Sequence, residues 1–187
     1  MNIIERINSL LEKQQRVLIA IDGPCASGKS TYATELKNKF NATLFHMDDY
    51  FVPKEMKTQQ RLKEIGGNVH YERFKNEILS NIIKEEITYQ KFNCQLNALE
   101  EKNVVKLSDV IIVEGSYALH KELRDYYDIK ILLKVDKNEQ IKRLTERNPK
   151  LIDRFVNEWI PLENIYFEEE KLNEIVDYII DTVYKKI

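Results

Sequence analysis

The sequence predicts an α/β fold: a mainly parallel sheet flanked by helices in three layers, plus a small β-hairpin and a helical lid. Three observations predict it. Short runs that are apolar throughout, such as Val17–Ile21 and Val110–Val113, have the pattern of strands buried on both faces. Segments with apolar residues at helical spacing alternate with those runs, the order that right-handed βαβ units produce. The length of 187 residues, with no repeat and no Pro/Gly/Ser-rich linker, fits one domain spanning 1–187.

Taken in order, Ile3, Ile4, Ile7, Leu10 and Leu11 mark an amphipathic first helix, and Val17 to Asp22 a buried strand that ends at Gly23-Pro24. Ser30 to Phe40 reads as a helix and Thr43 to His46 as a second strand. Phe74, Ile78, Leu79, Ile82 and Ile83 place a helix over Tyr71 to Glu86. Thr88 to Asn93 and Val104 to Leu107 pair as a hairpin, and Asp109 to Val113 is the next apolar strand. A helix near Ala118 to Leu123, a strand at Ile129 to Val135, helices over Asn138 to Arg147 and Pro161 to Asn173, and a strand at Val176 to Ile180 complete the series. The polar stretches Lys54 to Asn68 and Asn148 to Asp153 read as segments over a site rather than domain boundaries.

Composition removes several classes of function. Lys and Arg total 29 against 31 Asp and Glu, a formal net charge of −2, so no broad basic field exists to hold a nucleic-acid backbone. No apolar run approaches the roughly 20 residues that cross a bilayer. Glu5, Arg6, Glu12 and Lys13 interrupt any secretory h-region, which predicts a cytoplasmic chain with no membrane partner. The 2 cysteines, Cys25 and Cys94, form neither a disulfide framework nor a zinc-ligand spacing.

Glycine is scarce, 5 in 187 residues, and two of them fall in one short window. Gly23-Pro24-Cys25-Ala26-Ser27-Gly28-Lys29-Ser30 matches G-x-x-x-x-G-K-[ST] at every fixed position, after a strand and before a helix. Glycines let backbone N–H groups curl around a polyphosphate, and the helix N-terminus adds a favourable dipole. Lys29 is expected to reach the β- and γ-phosphates of ATP and Ser30 to ligate Mg²⁺. This is the phosphate loop of a P-loop NTPase fold. Cys25 reads as a small residue that the loop tolerates. N-K-x-D, the guanine signature, is missing, since Asn38-Lys39-Phe40-Asn41 fails at the Asp.

A phosphate loop fixes nucleotide binding, not the reaction. His46-Met47-Asp48-Asp49-Tyr50-Phe51 follows the second strand, at the sheet edge that also carries the loop, where an Asp can take the proton of a hydroxyl attacking the γ-phosphate. Val113-Glu114-Gly115 delivers an acid beside a glycine; Glu114 could hold a water on Mg²⁺ and Gly115 a close backbone approach. Arg143, Arg147 and Arg154 cluster in a chain with 8 arginines and 21 lysines, and a lid over about 143–157 is expected there, although a solvated face pairing Arg147 with Glu146 or Glu139 uses the same residues. His46 and His120 have no ligand partner at useful spacing and read as structural.

Together these residues resemble the uridine kinase and phosphoribulokinase-like branch of P-loop kinases, especially its bacterial uridine-kinase-like members. The likeness runs from about Val17 to Ile180. It rests on Ile21 through Thr31, Met47 through Phe51, Asn68 to Phe74, Val113 through Leu119, Arg143 to Asn148 and Glu158-Trp159-Ile160-Pro161-Leu162-Glu163 through Tyr166-Phe167. The resemblance implies that Asp48 is the general base, with Asp49 supporting. It implies a donor site of Gly23, Pro24, Cys25, Ala26, Ser27, Gly28, Lys29, Ser30 and Thr31, with Glu114 in the metal's outer shell. Arg147 is implied as the lid arginine and Arg154 as a second contact. The acceptor is expected at Asp48, Tyr50, His70, Phe92 and Asn93.

The chain departs from that branch where the acceptor binds. His70 stands nearest a family Asp, Phe92-Asn93 replaces a Tyr-Asp pair, and Asn97 lies where nucleoside kinases tend to have His. The expected activity is ATP- and Mg²⁺-dependent phosphoryl transfer to a hydroxyl of a small metabolite, a uridine- or cytidine-like nucleoside 5′-hydroxyl first. Acceptors resembling pantothenate, glycerate or a sugar phosphate, or a non-catalytic nucleotide sensor, stand as alternatives. Self-association through the hairpin or the first helix is a further expectation.

Overall fold

The computed structural model describes residues 1–182; the last five positions of the expected domain lie outside the described residues. Helix α1 (Ile3–Leu11) starts from an Asn2 capping box and buries Ile7. Strand β1 (Val17–Asp22) is buried along its whole length, and α2 (Lys29–Phe40) follows the glycine loop. Strand β2 (Thr43–His46) leads into a 3₁₀ turn over Met47–Tyr50. The short α3 (Gln59–Lys63) and α4 (Tyr71–Glu77) precede a hairpin of β3 (Glu86–Asn93) and β4 (Ala98–Lys106). Strands β5 (Val110–Glu114) and β6 (Ile129–Lys134) return to the main sheet. Helix α5 (Lys137–Arg147), the short α6 (Ile152–Arg154), a π-helical turn (Phe155–Trp159), α7 (Ile160–Glu169), α8 (Leu172–Ile175) and β7 (Tyr178–Asp181) complete the described chain.

The main sheet has the order β2-β5-β1-β6-β7 with every pairing parallel, and the hairpin forms a separate two-stranded sheet. Alternation along β1 explains its unbroken apolar run: Leu18 and Ala20 join one core cluster, while Val17, Ile19 and Ile21 join the other on the opposite face. Helices cover both faces, as the βαβ order requires. The register pairs His46 with Glu114 and Glu114 with Ile21. The segments leaving these three strands therefore emerge at one edge of the sheet.

Two predicted helices differ. The one over 71–86 stops at Glu77, because the Asn81 side chain donates to the carbonyls of Asn76 (2.7 Å) and Glu77 (3.1 Å), capping the helix, and a 3₁₀ turn follows at Leu79–Asn81. The segment 118–123 is turns rather than helix: Tyr117 takes a φ of 70°, and the Leu119 N–H is drawn to the Asp22 carboxylate at 2.9 Å. The hairpin strands are longer than their apolar cores suggest, since much of β4 is exposed and carries no burial pattern. Among the described residues no helix is long and apolar enough to cross a membrane.

Candidate active site

Backbone geometry at the phosphate loop uses its glycines literally. Gly23 sits at φ +147°, where a Cβ would meet the Leu133 carbonyl oxygen at 2.5 Å, and Gly28, at φ +92°, is the N-cap of α2. Gly28 brings no side chain to the cap, and among the described residues no side-chain cap bond reaches the start of α2, whose first amides can meet an anion. Lys29 is buried and crosses the loop, donating to the carbonyls of Gly23 (2.7 Å) and Pro24 (3.0 Å), with Ser116 Oγ at 3.5 Å. The buried Ser27 hydroxyl has no partner among the described residues.

Beside the loop, the Glu114 carboxylate accepts from Ser30 Oγ at 3.2 and 3.3 Å, and His46 Nδ1 lies 2.5 Å from its Oε1. That contact pushes the His46 pKa up, favouring the imidazolium. His46, expected to be merely structural, thus stands at the acid of the site. Strand order, which alternation of elements leaves open, is what brings the end of β2 beside Glu114. Ser30 offers a hard oxygen ligand, and the Glu114 carboxylate beside it can hold a metal-bound water, a set that fits Mg²⁺, which keeps several waters and takes its remaining ligands from phosphates. Thr31 lies on the exposed side of the first turn of α2.

Asp48 and Asp49 leave the 3₁₀ turn in different circumstances. Asp49 Oδ2 is paired with Lys91 Nζ of the hairpin at 2.9 Å. Asp48 remains accessible, yet the surrounding loops desolvate its carboxylate and raise its pKa; the positive charge of Lys29 opposes this, Glu114 reinforces it, His46 opposes it and Asp49 reinforces it. On the far side the Asp48 charge also acts on the Cys94 thiol of the hairpin, whose pKa burial raises. Asp48 therefore feels the charge of Lys29 at the phosphate loop and acts in turn on a residue of the hairpin tip.

The other residues expected at the acceptor have their polar groups committed. Tyr50 is buried, its hydroxyl donating to Glu77 (3.2 Å) with the Arg73 guanidinium 4.1 Å above its ring. His70 caps α4, its Nδ1 accepting the Arg73 N–H at 3.4 Å and lying 3.2 Å from Glu72. Phe92 is buried opposite Leu99, and Asn93 caps the hairpin loop by accepting from the amides of Gln95 (3.0 Å) and Leu96 (3.1 Å). Asn97 joins the hairpin tip to the 54–56 turn, accepting the Lys54 N–H and donating to Glu55. Sequence reasoning passed over Arg73, which also donates to the carbonyls of Gln90 (2.7 Å) and Asp49 (3.3 Å) and so ties α4 and the hairpin to the acidic turn.

Among the three lid arginines, Arg143 reaches the loop, donating to the Ala26 carbonyl at 3.2 Å while paired with Glu139. Arg147 is exposed in the last turn of α5 and makes no hydrogen bond or ion pair among the described residues. Arg154 is exposed, paired with Glu158 at 3.1 Å and stacked on Trp159. Neither of these two touches the phosphate loop in this conformation.

No protein-family model matches the chain. The uridine kinase of Clostridium botulinum is 31% identical over 175 residues, covering 83% of this chain and 84% of the relative. The uridine kinase of Clostridium tetani is 30% identical over 174 residues, covering 83% and 82%. The chain belongs to the uridine kinase family. Similarity of fold extends further: a possible uridine kinase from Bacillus stearothermophilus superposes with a TM-score of 0.69 at 22% identity, covering 97% of this chain and 100% of that one. A D-glycerate 3-kinase from Cryptococcus neoformans superposes with a TM-score of 0.64 at 12% identity, covering 98% and 94%. As a member of the uridine kinase family, the chain is a small-molecule kinase on a P-loop fold.

Proposed function

We propose that the protein transfers the γ-phosphoryl group of ATP to the primary hydroxyl of a small metabolite, a uridine- or cytidine-like nucleoside being the leading acceptor. The observation that carries this reading is the inequality of the two acids: Lys91 occupies Asp49, while Asp48 has no ion-pair partner among the described residues and lies within the electrostatic reach of Lys29 and Glu114.

The loop amides and the first turn of α2 bind and orient the triphosphate. Lys29 exchanges its two carbonyl contacts for phosphate oxygens and offsets charge that builds on the transferring group. Asp48 accepts the proton of the acceptor hydroxyl as its oxygen bonds to the γ-phosphorus; the bond from that phosphorus to the bridging oxygen breaks, and ADP leaves. Ser30, with Glu114 holding a water behind it, would hold Mg²⁺, which would supply charge neutralisation at the phosphates. In this reading the 143–157 segment closes as a lid, bringing Arg147 and then Arg154 toward the phosphates.

A panel of acceptors, namely nucleosides, pantothenate, glycerate and sugar phosphates, tested with ATP and with GTP and read as ADP or GDP release, decides the matter. Release that depends on one nucleoside supports the reading. Release with another of these acceptors alone replaces the nucleoside, and nucleotide binding with no acceptor-dependent release leaves a sensor.

A further inference from the structure

The segment Glu158 through Phe167 carries the family likeness but has no part in the transfer described above. In the structure, two of its residues one helical turn apart meet the phosphate loop from α7. Glu163 is 5% exposed, and its carboxylate accepts the Cys25 N–H at 2.8 Å and the Ser116 hydroxyl at 2.6 Å. Tyr166 is 0% exposed, and its hydroxyl donates to Asp22 Oδ2 at 2.7 Å. Asp22 accepts in addition from the Gly23 N–H at 2.6 Å and the Leu119 N–H at 2.9 Å.

The two arrangements are parallel clasps. Asp22 joins residue 23 of the loop to residue 119 of the turn after β5, and Glu163 joins residue 25 of the loop to residue 116 of the same turn. Helix α7 enters both, as acceptor in one and donor in the other, which the i, i+3 spacing on one helix face allows. The turn so held follows Glu114 directly, and its Ser116 hydroxyl lies 3.5 Å from Lys29 Nζ. Buried carboxylates that collect two or three donors each are stiff, because freeing any donor leaves a buried polar group unmatched.

We infer that Glu163 and Tyr166 are positioning residues: through the two clasps, α7 fixes the spacing between the phosphate loop and the turn after Glu114, and so the geometry of the donor site. The inference rests on the kinase reading for its meaning, and it is tested on ADP binding, which needs no acceptor. Titration of ADP with Mg²⁺ into the full chain, followed by separate donor and acceptor KM values, compares wild type with Glu163→Ala, Glu163→Gln and Tyr166→Phe.

The carboxamide of Glu163→Gln keeps an oxygen for Cys25 and offers a donor to Ser116, so this variant is expected to bind nearly as wild type. Glu163→Ala is expected to weaken ADP and raise the donor KM by about tenfold, leaving the acceptor KM unchanged. Tyr166→Phe is expected to do the same more mildly. If Glu163→Ala does not fold, Ser116→Ala removes one arm of the same clasp and carries the test. Unchanged ADP binding in these variants, equal losses for donor and acceptor, or a Gln variant as impaired as the Ala variant would overturn the inference. Tighter ADP binding in Glu163→Ala would also overturn it, by marking the carboxylate as a competitor for the loop amide. A wild type that binds no nucleotide would overturn the kinase reading along with it.

Discussion

Around the phosphate loop the structure is held mainly through the backbone: Lys29 on two carbonyls, Asp22 on two amides, Glu163 on one, and glycines where no side chain fits. Around the hairpin and α4 it is held mainly through side chains: Arg61 on Glu72 at 2.6 Å, Arg73 on Glu77 at 3.1 Å, Lys91 on Asp49 at 2.9 Å. Backbone-held geometry survives changes of side chain at most positions, whereas a network of partly exposed ion pairs can be rewired at modest cost. On the function proposed above, the first region is a donor half suited to one unvarying ligand, and the second an acceptor half open to substitution without loss of the fold.

Breaking the link between the halves should have the largest effect. Asp48→Asn is expected to lower kcat about a thousandfold with donor KM nearly unchanged, measured in steady-state kinetics. A variant that retains most of its turnover would remove the base from Asp48. Damage to the donor half alone comes next: Gly23→Ala puts a methyl group against the Leu133 carbonyl at a strained φ. It is expected to cost about 3 kcal/mol, read as a Tm lower by roughly 10 °C, with nucleotide binding lost in parallel.

On the acceptor half, Arg73→Ala removes contacts to Asp49, Gln90, Glu77 and the Tyr50 ring. An acceptor KM raised about tenfold with the donor KM unmoved is expected, in kinetics with either substrate varied. An equal rise for both substrates would show that the halves are not independent. The smallest effects are those of pH. Asp48 as the proposed base would act ionised, and its pKa is raised, chiefly by desolvation, so the acid limb of kcat/KM should lie above the usual carboxylate range near ~3.9.

Asp22 gives a second pH effect, on stability. Burial raises its pKa from 3.8 to about 6, so the folded chain holds the proton more tightly than the unfolded one. Its contribution to stability therefore falls as pH rises from 3.8 to about 6. Asp22→Asn should flatten that slope in urea melts taken across the same range.

The parallel sheet and the phosphate loop were legible because their signals are local: unbroken apolar runs, and glycines where φ is positive. The roles of Asp48 and Asp49 were harder to separate. The family resemblance set Asp48 ahead of Asp49, but the physical difference between two adjacent identical side chains lies in Lys91, 42 residues away in sequence. Asn81 and Tyr117 defeated the helix predictions for a related reason, since a side-chain cap and a left-handed residue outweigh a good apolar period. The pairing of His46 with Glu114 depends on strand order, which alternation of elements does not specify. The clasps on Asp22 and Glu163 join segments more than ninety and more than a hundred residues apart, and they were invisible without the fold.

Gly115 has a wider consequence. A methyl group on it would come within 2.7 Å of Met47 Cβ, so the segments that leave β5 and β2 pack too closely here to admit any side chain. That contact leaves little room to change the spacing of the segments that carry Glu114 and Asp48. If these acids serve the proposed transfer, divergence toward new acceptors, whether by descent or in the laboratory, has more freedom in α4 and the hairpin than at this junction.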